Sequence, residues 1–281
     1  MERIETPDAM VQWRRAAAGA VGLVPTMGFL HDGHLSLVRR ARAENRLVAV
    51  SIFVNPTQFG PNEDFSTYPR DVKRDLELLE RESVDAVFLP SVGSLYPDEY
   101  ATYVTVERIT ARFEGASRPG HFRGVATIVL KLFNIVRPDR AYFGQKDYQQ
   151  LQVVRRMAAD LDLPIAIVAC PIVREPDGLA MSSRNAYLSL GEREAATVLF
   201  RALKAGERLY EKSERNAREI QLAIEDVLSR EPRAQIDYVA VADPETLDPL
   251  DRIGDRGAVC CLAVRIGKTR LIDNLLLLPT R

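Results

Sequence analysis

Over roughly the first 170 residues, short apolar runs alternate with stretches of helical period, and this alternation restricts the fold more than any other feature. Residues 20–24 form an apolar run closed by Pro25, residues 47–54 are rich in Val and Ile, and residues 86–89 end at Pro90. Two further strands are expected at 141–143 and 165–169. Between them, Leu35, Leu37, Val38 and Ala41 repeat at helical spacing, and 71–82 is an amphipathic helix with Leu76, Leu78 and Leu79 inward. Residues 125–136 are apolar on most sides, as in a buried helix, and 148–160 reads as another helix. Strands alternating with helices of this length imply parallel βαβ units with right-handed crossovers.

After about residue 170 the texture changes. Helices are expected at 191–212 and 217–230, with strands at 236–242, 258–266 and a short third one at 270–272. Two domains suit 281 residues, at roughly 100–200 residues per domain. The division expected is an α/β domain over 1–172 and a smaller α+β domain over 173–281 that closes over its ligand.

Charge excludes one class of partner. Lys and Arg number 38 against 39 Asp and Glu, a net charge of -1, so there is no basic excess to track a nucleic acid. No apolar stretch approaches the ~20 residues of a membrane span; the longest, 125–136, is interrupted by Lys131 and Asn134. The first five residues lack the basic-then-apolar order of a signal peptide. Cys170, Cys260 and Cys261 have no partners at zinc spacing. A cytoplasmic protein with reduced, buried thiols is the expectation.

Three segments carry candidate chemistry. His31-Asp32-Gly33-His34 holds two of the three histidines, between the first strand and its helix. In an open parallel sheet, ligands bind beyond the carboxyl ends of the strands, and a helix N-terminus there attracts phosphate. Two imidazoles at that point could donate to a phosphate whose charge grows during reaction; two surface histidines at a turn would look the same. Met181-Ser182-Ser183-Arg184 offers hydroxyls and a guanidinium to a polyphosphate, or merely caps a helix. Gly144-Gln145-Lys146-Asp147 opens a helix, with Lys146 able to meet phosphate and Asp147 a ribose, or forms an ordinary capping turn. Lys146 is one of only six lysines against 32 arginines. Other signatures fail: Gly267-Lys268-Thr269 imitates the end of a P-loop, but Leu262 stands where its first glycine belongs. Residues 60–66 have little apolar anchoring between a strand and a helix, and are expected to form a gate over the site.

Taken in series, these segments resemble the pantothenate synthetase family of HIGH-type nucleotidyltransferases. The resemblance is carried by the run from Pro25 to His34, by Phe53-Val54-Asn55-Pro56-Thr57-Gln58-Phe59, Tyr68-Pro69-Arg70 and Arg118-Pro119-Gly120-His121-Phe122, and by Phe143-Gly144-Gln145-Lys146-Asp147-Tyr148-Gln149-Gln150 and Met181-Ser182-Ser183-Arg184-Asn185. It implies a Rossmann-like N-terminal domain with a smaller C-terminal one, usually in a homodimer. It also implies joining of pantoate to β-alanine with ATP and Mg²⁺, through a pantoyl adenylate, releasing AMP and pyrophosphate.

By that resemblance Met27, Gly28, Phe29, Leu30, His31, Asp32, Gly33 and His34 hold the triphosphate, with His34 as proton donor. Lys146 and the loop Met181, Ser182, Ser183 and Arg184 take the pyrophosphate side. Gly144 and Asp147 take the ribose, Gln145 beside them also binds ATP, and the backbone near Val173 takes the adenine. Gln58 and Gln150 bind pantoate, with Asn55 beside them, and Gln58 also borders the β-alanine site. Many family members carry two successive acidic residues where this chain has Arg74-Asp75, which leaves Asp75 as the one side chain there to assist Mg²⁺. A cytidylyltransferase or a class I aminoacyl-tRNA synthetase would share the first and last motifs without needing Gln58 and Gln150. A non-catalytic nucleotide-binding protein would not need His31, His34, Lys146, Ser182 and Ser183 intact.

Overall fold

Strands buried on both faces read as unbroken apolar runs, because a parallel sheet is covered by helices on either side. The computed structural model, which describes residues 1–61 and 63–279, has this arrangement in its first unit, Met1–Gln145 with Val153–Pro171. Strands β1 (Glu2–Ile4), β2 (Val21–Thr26), β3 (Leu47–Ile52), β4 (Ala86–Phe88), β5 (Arg140–Gly144) and β6 (Ala166–Cys170) form one six-stranded sheet in the order β1-β4-β3-β2-β5-β6. All its pairings are parallel. Val21, Leu23 and Val24 of β2 and Val48, Ala49 and Val50 of β3 are fully buried. Strand order runs one way from β2 to β3 and β4 and the other way to β5 and β6. The carboxyl end of β2 is therefore the switch point at which open α/β sheets bind ligands.

The connecting helices are α1 (Pro7–Ala16), α2 (Asp32–Glu44), α3 (Val72–Arg81), α4 (Val92–Leu95), α5 (Glu114–Ser117), α6 (His121–Val136) and α7 (Tyr148–Asp160). Helix α2 buries Leu35, Leu37, Val38 and Ala41, as its spacing requires. In α3 the buried positions are Asp75, Leu76 and Leu79, with Leu78 only half-buried. Helix α6 begins four residues before the expected 125, since His121 and Phe122 continue its turn. Neither β1 nor α1 is legible as such in the sequence: β1 has three residues and one buried side chain, and α1 starts on a Thr6 cap with Pro7 behind it.

The second unit comprises Lys146–Gln152 and Ile172–Arg281. An antiparallel sheet of β7 (Ala234–Ala242), β8 (Ala258–Ile266) and β9 (Thr269–Leu277) packs its apolar face with α8 (Leu190–Ala195), α9 (Val198–Glu211) and α10 (Ala217–Ser229). Leu199, Leu203, Ile220, Ile224, Cys260 and Leu262 lie at the centre of this core. The single helix expected over 191–212 is two helices. Thr197 donates its hydroxyl to the Glu194 carbonyl at 2.8 Å, a local bond that competes with the helical ladder. Strand β9 is three times the expected length, because it continues through the polar pair Asp273 and Asn274, which are buried inside it. Cys170, Cys260 and Cys261 are buried, and none of the three is in a disulfide. Among the described residues no helix is long and apolar enough to cross a membrane.

Candidate active site

The segment leaving β2 is held by side chains from α3. Both oxygens of buried Asp75 accept backbone N–H groups of that loop, from Phe29 at 2.7 Å and from Leu30 at 2.8 Å. Burial pushes the Asp75 carboxyl up from its ordinary value, and the two amides pull against that rise. Arg74 donates to the Leu30 carbonyl at 3.0 Å and stacks its guanidinium over the Phe29 ring. Arg74 and Asp75 thus grip one peptide loop by its donors and its acceptor. Gly28, at φ +83, passes so close that a Cβ would stand 3.0 Å from Ile52 and 3.1 Å from Asp75, in a conformation that side chains avoid.

His31 and His34 open α2 in a reciprocal cap. His31 Nδ1 accepts the Gly33 N–H at 3.1 Å, and His34 Nδ1 accepts the His31 N–H at 3.3 Å. A ring nitrogen that accepts carries no proton, so each neutral imidazole holds its proton on Nε2. The ring centroids are 4.1 Å apart. The cap therefore fixes the tautomer of both rings, with each Nε2–H at the positive end of a helix.

Gln58, in a 3-10 turn over Pro56–Gln58, is buried beside this loop. Its Nε2 donates to the Met27 sulfur at 3.0 Å, and its Oε1 accepts from Asn55 Nδ2 at 3.1 Å. Asn55 spends its other bonds internally: Nδ2 also donates to the Gly124 carbonyl, and Oδ1 accepts from the backbone and the hydroxyl of Thr57. Asn55 orients Gln58. Gly124 lets α6 approach this turn, since a Cβ there would lie 2.3 Å from the Thr57 carbonyl oxygen and 2.6 Å from the Gln58 nitrogen.

The Gln58 backbone is fastened in turn. His121 Nδ1 lies 2.8 Å from the Gln58 carbonyl, and Arg118 Nη1 lies 3.1 Å from His121 Nε2. The carbonyl can only accept and the guanidinium can only donate, so His121 is neutral, with its proton on Nδ1. Burial, and then Arg118, push its pKa down to about 4. Arg118 also makes a two-pronged pair with Glu63, at 2.7 Å in both arms. Glu63 belongs to the stretch expected to form a gate; Asn62 of that stretch lies outside the described residues.

In the second unit, Lys146 and Asp147 precede α7, with Lys146 Nζ 3.8 Å from Asp147 Oδ1. Gln150 is half-buried on the first turn of α7, while its neighbour Gln149 is buried. Val173 uses its carbonyl to accept the Met181 N–H at 3.0 Å, closing a hairpin that delivers Ser182 and Ser183. Ser182 caps the 3-10 turn Ser183–Tyr187 by accepting the Arg184 N–H.

The first unit thus gathers Met27 to His34 with Asn55, Gln58 and Asp75, and it also carries Gly144 and Gln145 at the end of β5. The second gathers Lys146, Asp147, Gln150, Val173 and Met181 to Arg184. Sequence reasoning missed Arg74 as a loop holder and Arg118 and Glu63 as ties. It also missed Gly124, whose one signal was a glycine in an otherwise apolar helix. Among the described residues no group of three or more His, Cys, Asp or Glu side chains is placed to hold a metal ion.

The family model described as pantoate-beta-alanine ligase matches residues 2–276. A protein of Roseiflexus castenholzii named pantothenate synthetase is 63% identical over 94% of this chain and 95% of its own length. The crystal structure of pantothenate synthetase from Thermus thermophilus superposes with a TM-score of 0.95 at 50% identity, covering 99% of this chain and 100% of that one. A pantoate-beta-alanine ligase from Francisella tularensis, complexed with beta-gamma ATP and beta-alanine, gives a TM-score of 0.81 at 35% identity, over 98% of this chain and 97% of its own.

Proposed function

This chain belongs to the pantoate–β-alanine ligase family, and from that premise we infer that it activates pantoate with ATP as pantoyl adenylate and then transfers the acyl group to β-alanine. The observation that carries this reading is the contact between Gln58 and Met27. It sets a buried amide, able both to donate to a carboxylate and to accept from hydroxyls, directly against the loop that leads to His31 and His34.

In the first step a pantoate carboxylate oxygen bonds to the α-phosphorus, the bond from that phosphorus to the bridging oxygen breaks, and pyrophosphate leaves. Such transfer depends mainly on positioning and on stabilising charge. The Nε2–H groups of His31 and His34 donate to the phosphate oxygens as negative charge builds on them. Lys146, Ser182, Ser183 and Arg184 hold the pyrophosphate; Gly144 and Asp147 take the ribose, and the Val173 backbone the adenine. In the second step the β-alanine amine bonds to the acyl carbon, the acyl–oxygen bond breaks, AMP leaves and the amine gives up a proton.

Mg²⁺ neutralises phosphate charge when it accompanies ATP. Among the described residues no cluster of side chains forms a cage for it, and both oxygens of Asp75 already accept backbone amides. The ion is proposed to be held by phosphate oxygens and water. Assembly as a homodimer and a cytoplasmic location go with the same reading.

The test is isotope exchange between pyrophosphate and ATP. Exchange should require pantoate and proceed without β-alanine; exchange that appears only once β-alanine is added would rule out the two-step route.

Two substitutions probe the pantoate contacts. Gln150→Ala leaves buried ligand groups unpaired, at about 1–3 kcal/mol, so the pantoate KM should rise roughly 5- to 150-fold with the ATP KM unchanged. Gly124→Ala forces the turn bearing Gln58 away from α6. It should likewise raise the pantoate KM and spare ATP, although residue 124 touches neither substrate. Steady-state kinetics with each substrate varied in turn check both, and an unchanged pantoate KM removes the residue from this role.

A further inference from the structure

Two polar residues stand side by side in the middle of β9, where the strand is buried. Asp273 is 3% exposed and Asn274 is 4% exposed. Burying a carboxylate and an amide is costly unless both are hydrogen-bonded. Arg174 meets Asp273 with both prongs, Nη1 to Oδ2 at 2.7 Å and Nη2 to Oδ1 at 2.9 Å. The same guanidinium donates to the Asn274 carbonyl at 3.3 Å, and Asp273 Oδ1 accepts the Asn274 N–H at 2.8 Å. The backbone of Asn274 is therefore gripped at both its donor and its acceptor. Its side chain points its Nδ2 donor at the backbone carbonyl of Lys146, 2.8 Å away.

Arg174 has a second attachment. It donates to the Gly178 carbonyl at 3.0 Å and pairs with Ala180 across the hairpin that delivers Ser182 and Ser183. One buried ion pair thus anchors the carbonyl of Lys146 through Asn274 and the serine-bearing hairpin directly. Every residue in this chain of contacts belongs to the second unit.

We propose that Asn274, fixed by the Arg174–Asp273 pair, is a positioning residue that sets Lys146 for departure of pyrophosphate. The inference rests on the role of Lys146 proposed above. A lysine ammonium sits on a long flexible stem, so its placement depends on where its own backbone is held. A shift of about 1 Å in a positioned group can cost ~10²-fold in rate. A partner that only stabilised the fold would not discriminate between the two half-reactions.

The experiment uses the full chain and single turnovers of each half-reaction: ATP with pantoate, and supplied pantoyl adenylate with β-alanine. The variants are Asn274→Ala and Asn274→Asp, the second retaining the shape but lacking the N–H. Adenylate formation should slow on the order of 10- to 100-fold in both variants, with the reaction of supplied adenylate unchanged, which also shows that the variants are folded. In a Lys146→Ala background, Asn274→Ala should add nothing, because the group it serves is gone. Equal loss in both half-reactions, no loss in adenylation, or full multiplication of the two effects would overturn the positioning role. If Lys146→Ala itself formed adenylate at the parent rate, the pyrophosphate role of Lys146 would be what failed, and the positioning role would fall with it.

Discussion

Replacing Lys146 by alanine is expected to slow pantoyl adenylate formation by about 10²–10³, or roughly 2.7–4 kcal/mol, the usual cost of one preorganised contact to developing charge. The loss should be confined to the first half-reaction, because on the proposed route pyrophosphate has left before β-alanine attacks. Lys146→Arg should recover only part of it, since a planar fork does not fit where a compact ammonium sat. Arginine outnumbers lysine 32 to six in this chain, so a lysine at the position proposed to meet phosphate is not simply the common basic residue there. Single-turnover measurement of each half-reaction decides the matter, and an equal loss in both would assign Lys146 to the fold or to the acyl group.

The second large effect is at His34, where capping and donation can be separated. His34 Nδ1 accepts the His31 N–H, while its Nε2–H is the group proposed to meet phosphate. Asparagine can place its side-chain oxygen near the Nδ1 position but has nothing at Nε2. His34→Asn should therefore keep thermal stability close to the parent and lose about 10²–10³ in adenylation rate. Glutamine reaches the Nε2 position with an N–H and surrenders the cap. His34→Gln should retain more of the rate and lose roughly 0.5–2 kcal/mol of stability, the worth of a helix cap. Thermal melts beside single-turnover rates check the pair. If Asn proved the faster enzyme, His34 would act through the cap.

Much of the parallel sheet was legible because burial on both faces writes itself into local composition. The run expected to end at Pro25 is β2, which continues through Pro25 to Thr26, the run before Pro90 is β4, and α7 has the bounds that its period gives. The loop from Met27 to His34 could be placed at the sheet's carboxyl edge by the same logic, since it follows a buried strand and opens a helix. The resemblance of the motifs in series then supplied the family, and the comparisons support it.

What the sequence determined, then, was the alternation of strands and helices from β2 to β6, most of the apolar faces, and the residue types gathered around two turns. Which polar group meets which was decided by the tertiary structure. Asp75, expected to assist a metal ion, accepts the amides of Phe29 and Leu30 from 46 and 45 positions away. Asn55, expected at the substrate, orients Gln58 and ties it to Gly124. Asp273 and Asn274 lie past the end of the expected strand, and Arg174, about 100 residues earlier in the chain, meets them inside β9. The reason is one of range. Hydrophobic burial is non-directional and repeats with the local period, so a short window of sequence records it. A buried hydrogen bond needs a particular partner within about 3 Å, and Asp75 with Phe29 and Leu30, Asn55 with Gly124, and Asp273 with Arg174 each find theirs in a distant part of the chain.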